Sequence, residues 1–316
     1  MKVITSLQDF SSQGKFVSVA LGNFDGVHIG HQHIIKQLVN EAKRKNGISV
    51  VFTFEPHPLK VLNQANCPQL LTRLEDKQRI ISNLHVDFLL LYPFNLNTAQ
   101  MIPDDFVKEI LIKGLGAKHV FVGFNFTFGR KAQGTAETLK EICANYGCEV
   151  TIFPPVMVDG VCVSSTRVRE CLTNGRIKEG NMLLGSYYQI KGTVVHGDKI
   201  GRDMGFPTAN LAFSSEIIVP ANGVYAVKVL TREGVFDGVA NIGCRPTIGN
   251  NLPRTIEIHI LERTLNIYNQ EIKVFFVDRL RDEIRFSGKE QLAHQIYEDV
   301  ERAKFILNSF NLPIVK

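Results

Sequence analysis

The 316-residue sequence has no apolar run near the ~18 residues that a membrane helix needs, so no membrane partner is expected. Its opening stretch, MKVITSLQDFSSQGK, lacks the apolar core of a signal peptide and carries Asp9. Two-residue-spaced cysteine pairs are missing. Cys67, Cys143, Cys148, Cys162, Cys171 and Cys244 are scattered, which removes zinc ribbons and thioredoxin-like motifs. Buried, reduced thiols in a cytoplasmic protein are the expectation. No Lys/Arg run exceeds Lys43-Arg44-Lys45, a stretch typical of a solvated helix end. With 36 basic against 31 acidic residues, the net charge of +5 suits anionic small molecules. A basic patch interleaved with aromatics is absent, so no nucleic-acid partner is expected. Repeats, low-complexity segments and long linkers are absent too.

What remains is an ordinary globular composition, 44% apolar and 21% charged, over a length that suggests two domains at about 150 residues each. The first half alternates apolar strands (Phe16–Leu21, Ile48–Phe54, Val86–Leu91, Val120–Gly123, Cys148–Phe153) with helical segments (30–45, 75–84, 104–115, 135–146, 165–174). Gly147 and Gly175 mark helix ends. This alternation predicts a parallel sheet covered on both faces, an α/β Rossmann-like domain. The texture changes near Leu184. From Tyr187 to Leu280, short β-rich runs such as YYQIKGTVV, GVYAVKVL, TIEIHIL and EIKVFFVDRL are punctuated by Gly, Asn and Pro, predicting a small antiparallel barrel. One amphipathic helix follows, with Leu292, Ile296, Val300 and Ala303 on one face and a capping-box spacing at Ser287 and Glu290. The expected domains are 1–184 and 185–316.

The segment GNFDGVHIGHQH directly follows the first strand. Gly22, Gly26 and Gly30 let the backbone approach a bulky anion, and free N–H groups at the start of the next helix point at it. His28 and His31, three apart in a first turn, lie side by side. The segment is not a dinucleotide fingerprint, since its glycines are spaced four and four, and no Walker lysine follows. A metal site using His28, His31 and His33 is the rival reading, weakened because no acidic or thiolate ligand follows at the usual spacing. Plain helix capping is the bland one. In the second half, Gly192, Gly197, Gly201 and Gly205 form a run that either wraps phosphate or makes barrel turns. Thr208 and Asn210, in Phe206-Pro207-Thr208-Ala209-Asn210, share one side of an extended strand. They offer hard oxygen ligands suited to Mg²⁺.

GNFDGVHIGH resembles the signature of the nucleotidylyltransferase superfamily, Gly-x-Phe-Asp-x-x-His-x-Gly-His, which takes in Gly22, Phe24, Asp25, His28, Gly30 and His31. More narrowly the chain resembles the bacterial bifunctional riboflavin kinase/FMN adenylyltransferase family, the FAD synthetases. FTFEPHP (52–58), LLTRLEDK (70–77), GFNFTFG (123–129), SSTRVR (164–169), GFPTAN (205–210) and NIGCRPT (241–247) occur in that family's order. The resemblance implies two ATP-dependent reactions, riboflavin to FMN and FMN to FAD with release of pyrophosphate. It implies that His28 and His31 bind ATP phosphates and that Asp25 fixes the turn. Ser165 or Thr166 would cap a helix facing a phosphate, and Arg169 would offer it a guanidinium fork.

Flavin binding is expected near Asn125, Phe126 and Phe128, with His57 shaping the wall. The alternative is that the alternating Phe124, Phe126 and Phe128 are strand-edge core residues. Thr208 and Asn210 would hold the magnesium nucleotide and Glu257 would be the kinase base, with His259 on its face. One departure stands out: where the family commonly reads Leu-Asp-Phe and Asp-Leu-Tyr-Gly, this chain reads Leu261-Glu262-Arg263 and Asn266-Ile267-Tyr268-Asn269. Two other readings share these motifs: an adenylyltransferase with a degenerate, flavin-retaining kinase module, and a non-catalytic flavin or nucleotide sensor. Nothing in the sequence signals an oligomeric state.

Overall fold

A computed structural model describes residues 1–196, 206–244, 254–263 and 265–309. The chain divides into two compact units, Met1–Ser164 and Ser165–Lys316, each described by itself.

The first unit is built on a six-stranded parallel sheet of β1 (Lys2–Ile4), β2 (Val17–Leu21), β3 (Ile48–Glu55), β4 (Phe88–Pro93), β5 (Ala117–Gly123) and β6 (Glu149–Phe153). Its order is β1-β4-β3-β2-β5-β6. Strand β2 is Val-Ser-Val-Ala-Leu with every residue buried, as expected of a central parallel strand covered on both faces. One face is closed by α1 (Ile29–Arg44) and α2 (Leu74–Ser82), which bury Ile34, Ile35, Leu38, Val39 and Ile81 against Ala20, Val51 and Leu89. The other is closed by a helical run and by α3 (Ala136–Ala144), which bury Phe106, Ile110, Leu111, Leu139 and Cys143 against Val19, Val50 and Val120. Full burial of such a side chain contributes roughly 1.5–3 kcal/mol.

Chain order reverses at β2. The path runs β2 to β3 to β4 on one side, then returns to place β5 on the other. A switch point of this kind, at the carboxyl ends of the strands, is where open α/β sheets bind ligands.

The second unit holds α4 (Ser165–Thr173), α5 (Ile177–Leu184) and a closed antiparallel barrel. The barrel strands are β7 (Tyr188–Val195), β8 (Ala209–Phe213), β9 (Gly223–Thr231), β10 (Gly234–Cys244), β11 (Arg254–Ile260) and β12 (Glu271–Arg281). Along β11 the pattern alternates: Ile256, Ile258 and Ile260 are buried inside while Thr255, Glu257 and His259 are half-buried outside. Helix α6 (Lys289–Ser309) packs Val300, Ala303 and Leu307 onto Tyr187, Val224 and Val277. It is clamped by Arg281, whose guanidinium meets both carboxylate oxygens of Asp299 at 2.7 to 3.1 Å. Asn181 of α5 donates to the Phe276 carbonyl at 2.8 Å and accepts from the Tyr188 N–H at 2.7 Å, so residues 165–184 are bonded into the barrel unit.

Four expectations change. The helix expected over 104–115 has a short α-helical start, Pro103–Asp105, followed by π-helical turns over Phe106–Gly114. The wider i→i+5 turn brings Phe106, Val107, Ile110 and Leu111 onto one buried face. The capping partner of Ser287 is Gln291, not Glu290. The Gln291 Oε1 accepts from both the Ser287 N–H and its hydroxyl. All six cysteines are free thiols, but only Cys143, Cys148 and Cys171 are buried, and Cys162 and Cys244 are exposed. Finally, Gly192 is no phosphate loop. It sits within β7, where a Cβ would come 2.3 Å from the Ala212 carbonyl oxygen, so it is glycine because two barrel strands approach closely. Gly197, Gly201 and Gly205 lie outside the described residues.

Candidate active sites

The first site begins where β2 ends. Phe24, Gly26 and Val27 all take positive φ (47°, 81° and 39°), folding residues 22–28 into a tight turn in which 24–28 are buried. Such a conformation needs support from outside, and three segments supply it. The Asn23 carbonyl accepts from Thr53 Oγ1 at 3.3 Å and from Lys77 Nζ at 2.9 Å. The Gly22 N–H reaches the Phe52 carbonyl. The Asp25 carboxylate, 3% exposed, accepts the Leu71 N–H on both oxygens at 3.1 Å and the Thr72 N–H at 3.2 Å. The geometry therefore gives Asp25 a scaffolding place.

His28 is the N-cap of α1. Its Nδ1 accepts the His31 backbone N–H at 3.3 Å, so in the neutral ring the proton sits on Nε2 and that nitrogen is the donor. The two imidazoles stack with centroids 3.6 Å apart and planes 15° apart, and the Phe24 ring meets His31 edge-on. Gly30 leaves the room for this: a Cβ there would come 3.2 Å from the His28 ring. Burial, then the neighbouring His28, then Lys77 hold His31 well below the ordinary histidine range. In the free protein near neutral pH it is a neutral imidazole. Two stacked imidazoles thus stand at the start of α1, and the Lys77 ammonium is bonded to the same turn. His33 is exposed and turned against Phe153, apart from the stacked pair. Among the described residues no cluster of three His, Cys, Asp or Glu could hold a metal ion.

Across the switch point, the chain leaving β5 carries Phe124 and Asn125, both exposed. Phe126 is half-buried and stacks on Phe128 at 5.7 Å. Phe128 itself is a correction: it is buried against Phe106 and fills the space beside Gly134, so its ring backs the wall and does not face it. His57 caps the short helix Pro58–Leu62 through Nδ1, which accepts the Leu59 N–H, in keeping with a shaping role. The residue that sequence reasoning missed is Lys77. It lies inside the quoted run LLTRLEDK, but a helical lysine reads as solvent-facing unless the fold shows otherwise.

In the second unit, α4 begins at Ser165, which with Thr166 forms its first turn. Arg169 is half-buried, while the neighbouring Arg167 is engaged by Glu179 at 2.6 Å. On the barrel, register brings several of the residues expected from sequence together. Asn210 of β8 stands opposite Glu257 of β11, and Glu257 opposite Asn241 of β10. Directly opposed residues share a sheet face with Cβ atoms about 4.5–5.5 Å apart. Thr208 immediately precedes β8. His259 donates from Nδ1 to the Pro207 carbonyl at 2.9 Å, which ties it to the segment entering Thr208.

Glu262 and Arg263, at the start of the departing stretch, border a cavity of about 300 Å³ that Phe236, Asp237, Leu261 and Lys304 also line. There the Arg263 guanidinium lies over the Phe236 ring at 5.6 Å.

Comparison with known proteins agrees with this division. Residues 11–167 match the FAD synthetase family and residues 184–307 the riboflavin kinase family. A bifunctional riboflavin kinase/FMN adenylyltransferase of Buchnera aphidicola (subsp. Schizaphis graminum) is 36% identical, over 98% of this chain and 99% of its own. One from Bacillus subtilis is 39% identical over 90% of each chain. A crystal structure described as a macrolide-efflux protein of Streptococcus pneumoniae superposes with a TM-score of 0.86 at 31% identity, over 96% of this chain and 98% of that one. Among the described residues of the present chain, no helix is long and apolar enough to cross a membrane. With both family models matched and relatives aligned nearly end to end, the chain belongs to the bifunctional riboflavin kinase/FMN adenylyltransferase family.

Proposed function

We propose that this protein phosphorylates riboflavin to FMN and then adenylylates FMN to FAD, using ATP in both steps, in the cytoplasm. The observation that carries the reading is the separation of two anion-handling arrangements. The stacked His28/His31 pair belongs to the parallel-sheet unit, and the Asn210–Glu257 register belongs to the barrel. The functional division is assigned to 1–184 for adenylyl transfer and 185–316 for the kinase, with residues 165–184 packing in the barrel unit.

In adenylyl transfer the FMN phosphate attacks the α-phosphorus of ATP and pyrophosphate leaves. No covalent enzyme intermediate is required, so the chain's work is positioning and charge neutralisation. His28 donates from Nε2 to a phosphate oxygen. Gly22, Phe24 and Gly30 shape the approach, and Asp25 holds the turn. Asn125 and Phe126 are assigned to the flavin, and His57 to the wall behind it.

In the kinase, Glu257 takes the proton of the ribityl hydroxyl as it attacks the γ-phosphorus. Thr208 and Asn210 fit Mg²⁺, since a hydroxyl and an amide carbonyl are hard oxygen donors and Asn210 is buried beside Glu257. The ion would neutralise phosphate charge. The cavity beside Arg263 is assigned to the flavin, with guanidinium stacking replacing the aromatic usual at that position.

Incubation of purified protein with riboflavin, ATP and Mg²⁺, followed by chromatography of the flavins, tests the whole scheme. FMN is expected first and FAD after it. FAD made from supplied FMN with none from riboflavin would favour the degenerate-kinase reading, and no conversion of either would leave only a sensor.

A further inference from the structure

Lys77 is a buried cation that the two reactions as described do not use. Its residue is 8% exposed, on α2, and its Nζ donates to the Asn23 carbonyl at 2.9 Å. A hydroxyl already holds that carbonyl, from Thr53. A second neutral donor would suffice to fix the turn, and burying an ammonium is costly unless its charge is used. Two carboxylates, Asp25 and Glu55, face it electrostatically. Burial nonetheless outweighs them and lowers its affinity for the proton. Its field also reaches His31, which stacks on His28 and meets the Phe24 ring edge-on. The His31 Nδ1 is buried and has no hydrogen-bond partner among the described residues.

We propose that Lys77 is a positioning residue of the adenylyl-transfer site: a positive charge behind the turn that pins the Asn23 carbonyl and draws the ATP polyphosphate onto the turn. The inference rests on the reading of this turn as the ATP cradle. A neutral His31 does not compete with Lys77 for the carboxylates, so the turn keeps one geometry before ATP arrives. The ammonium then adds to the field that the helix N-terminus and the His28 donor present to an anion.

The test combines kinetics with NMR titration of the His31 ring in the full-length chain. Lys77→Met is expected to lower kcat/KM for ATP in FAD formation at least about tenfold and to raise the His31 titration midpoint by about half a unit or more. FMN formation from riboflavin is expected to stay unchanged. Lys77→Arg, which keeps the charge, is expected to leave the His31 titration in place whatever its activity. Should Lys77→Met fail to fold, Lys77→Gln keeps a donor for Asn23 without the charge, and the same upward shift is expected. An unmoved His31 midpoint overturns the inference even if activity falls, because a purely structural pin produces that result. FAD formation within twofold of the parent overturns it as well. A variant carrying His28→Ala and His31→Ala is assayed alongside. Intact FAD formation there withdraws the reading of the turn itself, whereas its loss beside a silent Lys77→Met withdraws only the role of Lys77.

Discussion

Asp25 offers a graded test of how the strained turn is held. Its carboxylate is buried and accepts the Leu71 and Thr72 N–H groups across more than forty residues of sequence. Asp25→Ala leaves both donors inside the protein without an acceptor, at about 1–3 kcal/mol each. It also strips a counter-charge from buried Lys77, so the total loss is at least about 3 kcal/mol. Asp25→Asn keeps one oxygen able to accept both N–H groups but replaces the other with an amide NH₂ and removes the charge, for a loss of about 1.5–3 kcal/mol. Urea unfolding of the full chain measures both. FAD formation from FMN is expected to fall in the same order, with FMN formation from riboflavin spared. A loss under about 0.5 kcal/mol for Asp25→Ala refutes the idea that this carboxylate carries the turn. Equal losses for the two variants refute the hydrogen-bond account and leave charge alone.

The residues proposed for the kinase lie in the barrel unit, so Asn210→Ala or Glu257→Gln is expected to abolish FMN formation while FMN adenylylation stays nearly intact; equal loss of both activities in chromatographic assays contradicts separate sites. His31 predicts an acid-side weakness: its folded-state proton affinity is depressed, so the unfolded chain binds the extra proton first, and stability present above the unfolded value of about 6.5 declines as pH falls from there. Denaturant midpoints between pH 7.5 and 5.5 should show this slope (about a two-unit span around the histidine value), and His31→Gln should flatten it. Arg281→Ala strands Asp299, whose side chain is 6% exposed, and is expected to cost about 3–5 kcal/mol. Asp299→Asn with Arg281→Met should recover part of that loss, and a thermal melt of Arg281→Ala that matches the parent contradicts the clamp.

Periodicity made the parallel sheet and the barrel legible. Ile34, Ile35, Leu38 and Ala42 fall on one buried stripe of α1, and Ile256, Ile258 and Ile260 alternate inward along β11. The paired histidines were legible too, because three residues in a helical turn fix their proximity regardless of what lies around them. Features set by distant partners were not. Gly192 reads like part of a phosphate loop, and only the Ala212 carbonyl on the next strand explains it. Phe126 and Phe128 look equivalent in an alternating run, yet Phe106 and Gly134 draw one of them into the core. Lys77 carries no local sign of burial, since its partners are distant in sequence, the Asn23 carbonyl 54 residues away and the Asp25 carboxylate more than 50.

The departures at 262–269 separate fold from substrate fit. The barrel closes through β7 to β12 pairing around the full ring, and the far end of this loop is tied to β7 by the Asn269 N–H on the Val194 carbonyl at 2.9 Å. Loss of the family's aromatic and glycine therefore leaves the Asn210–Glu257 register untouched. What changes is the cavity wall, where Arg263 presents a cation over Phe236 in place of a neutral ring. A planar guanidinium still stacks on an isoalloxazine, and it also attracts negative charge. The consequence for a kinase is asymmetric, because its substrate riboflavin is neutral and its product FMN carries a phosphate. Arg263→Phe is accordingly expected to weaken FMN retention more than riboflavin binding, read as a rise in the FMN inhibition constant with little change in KM for riboflavin. The opposite pattern, a selective loss of riboflavin affinity, places Arg263 against the ring system alone and removes the electrostatic part of this argument.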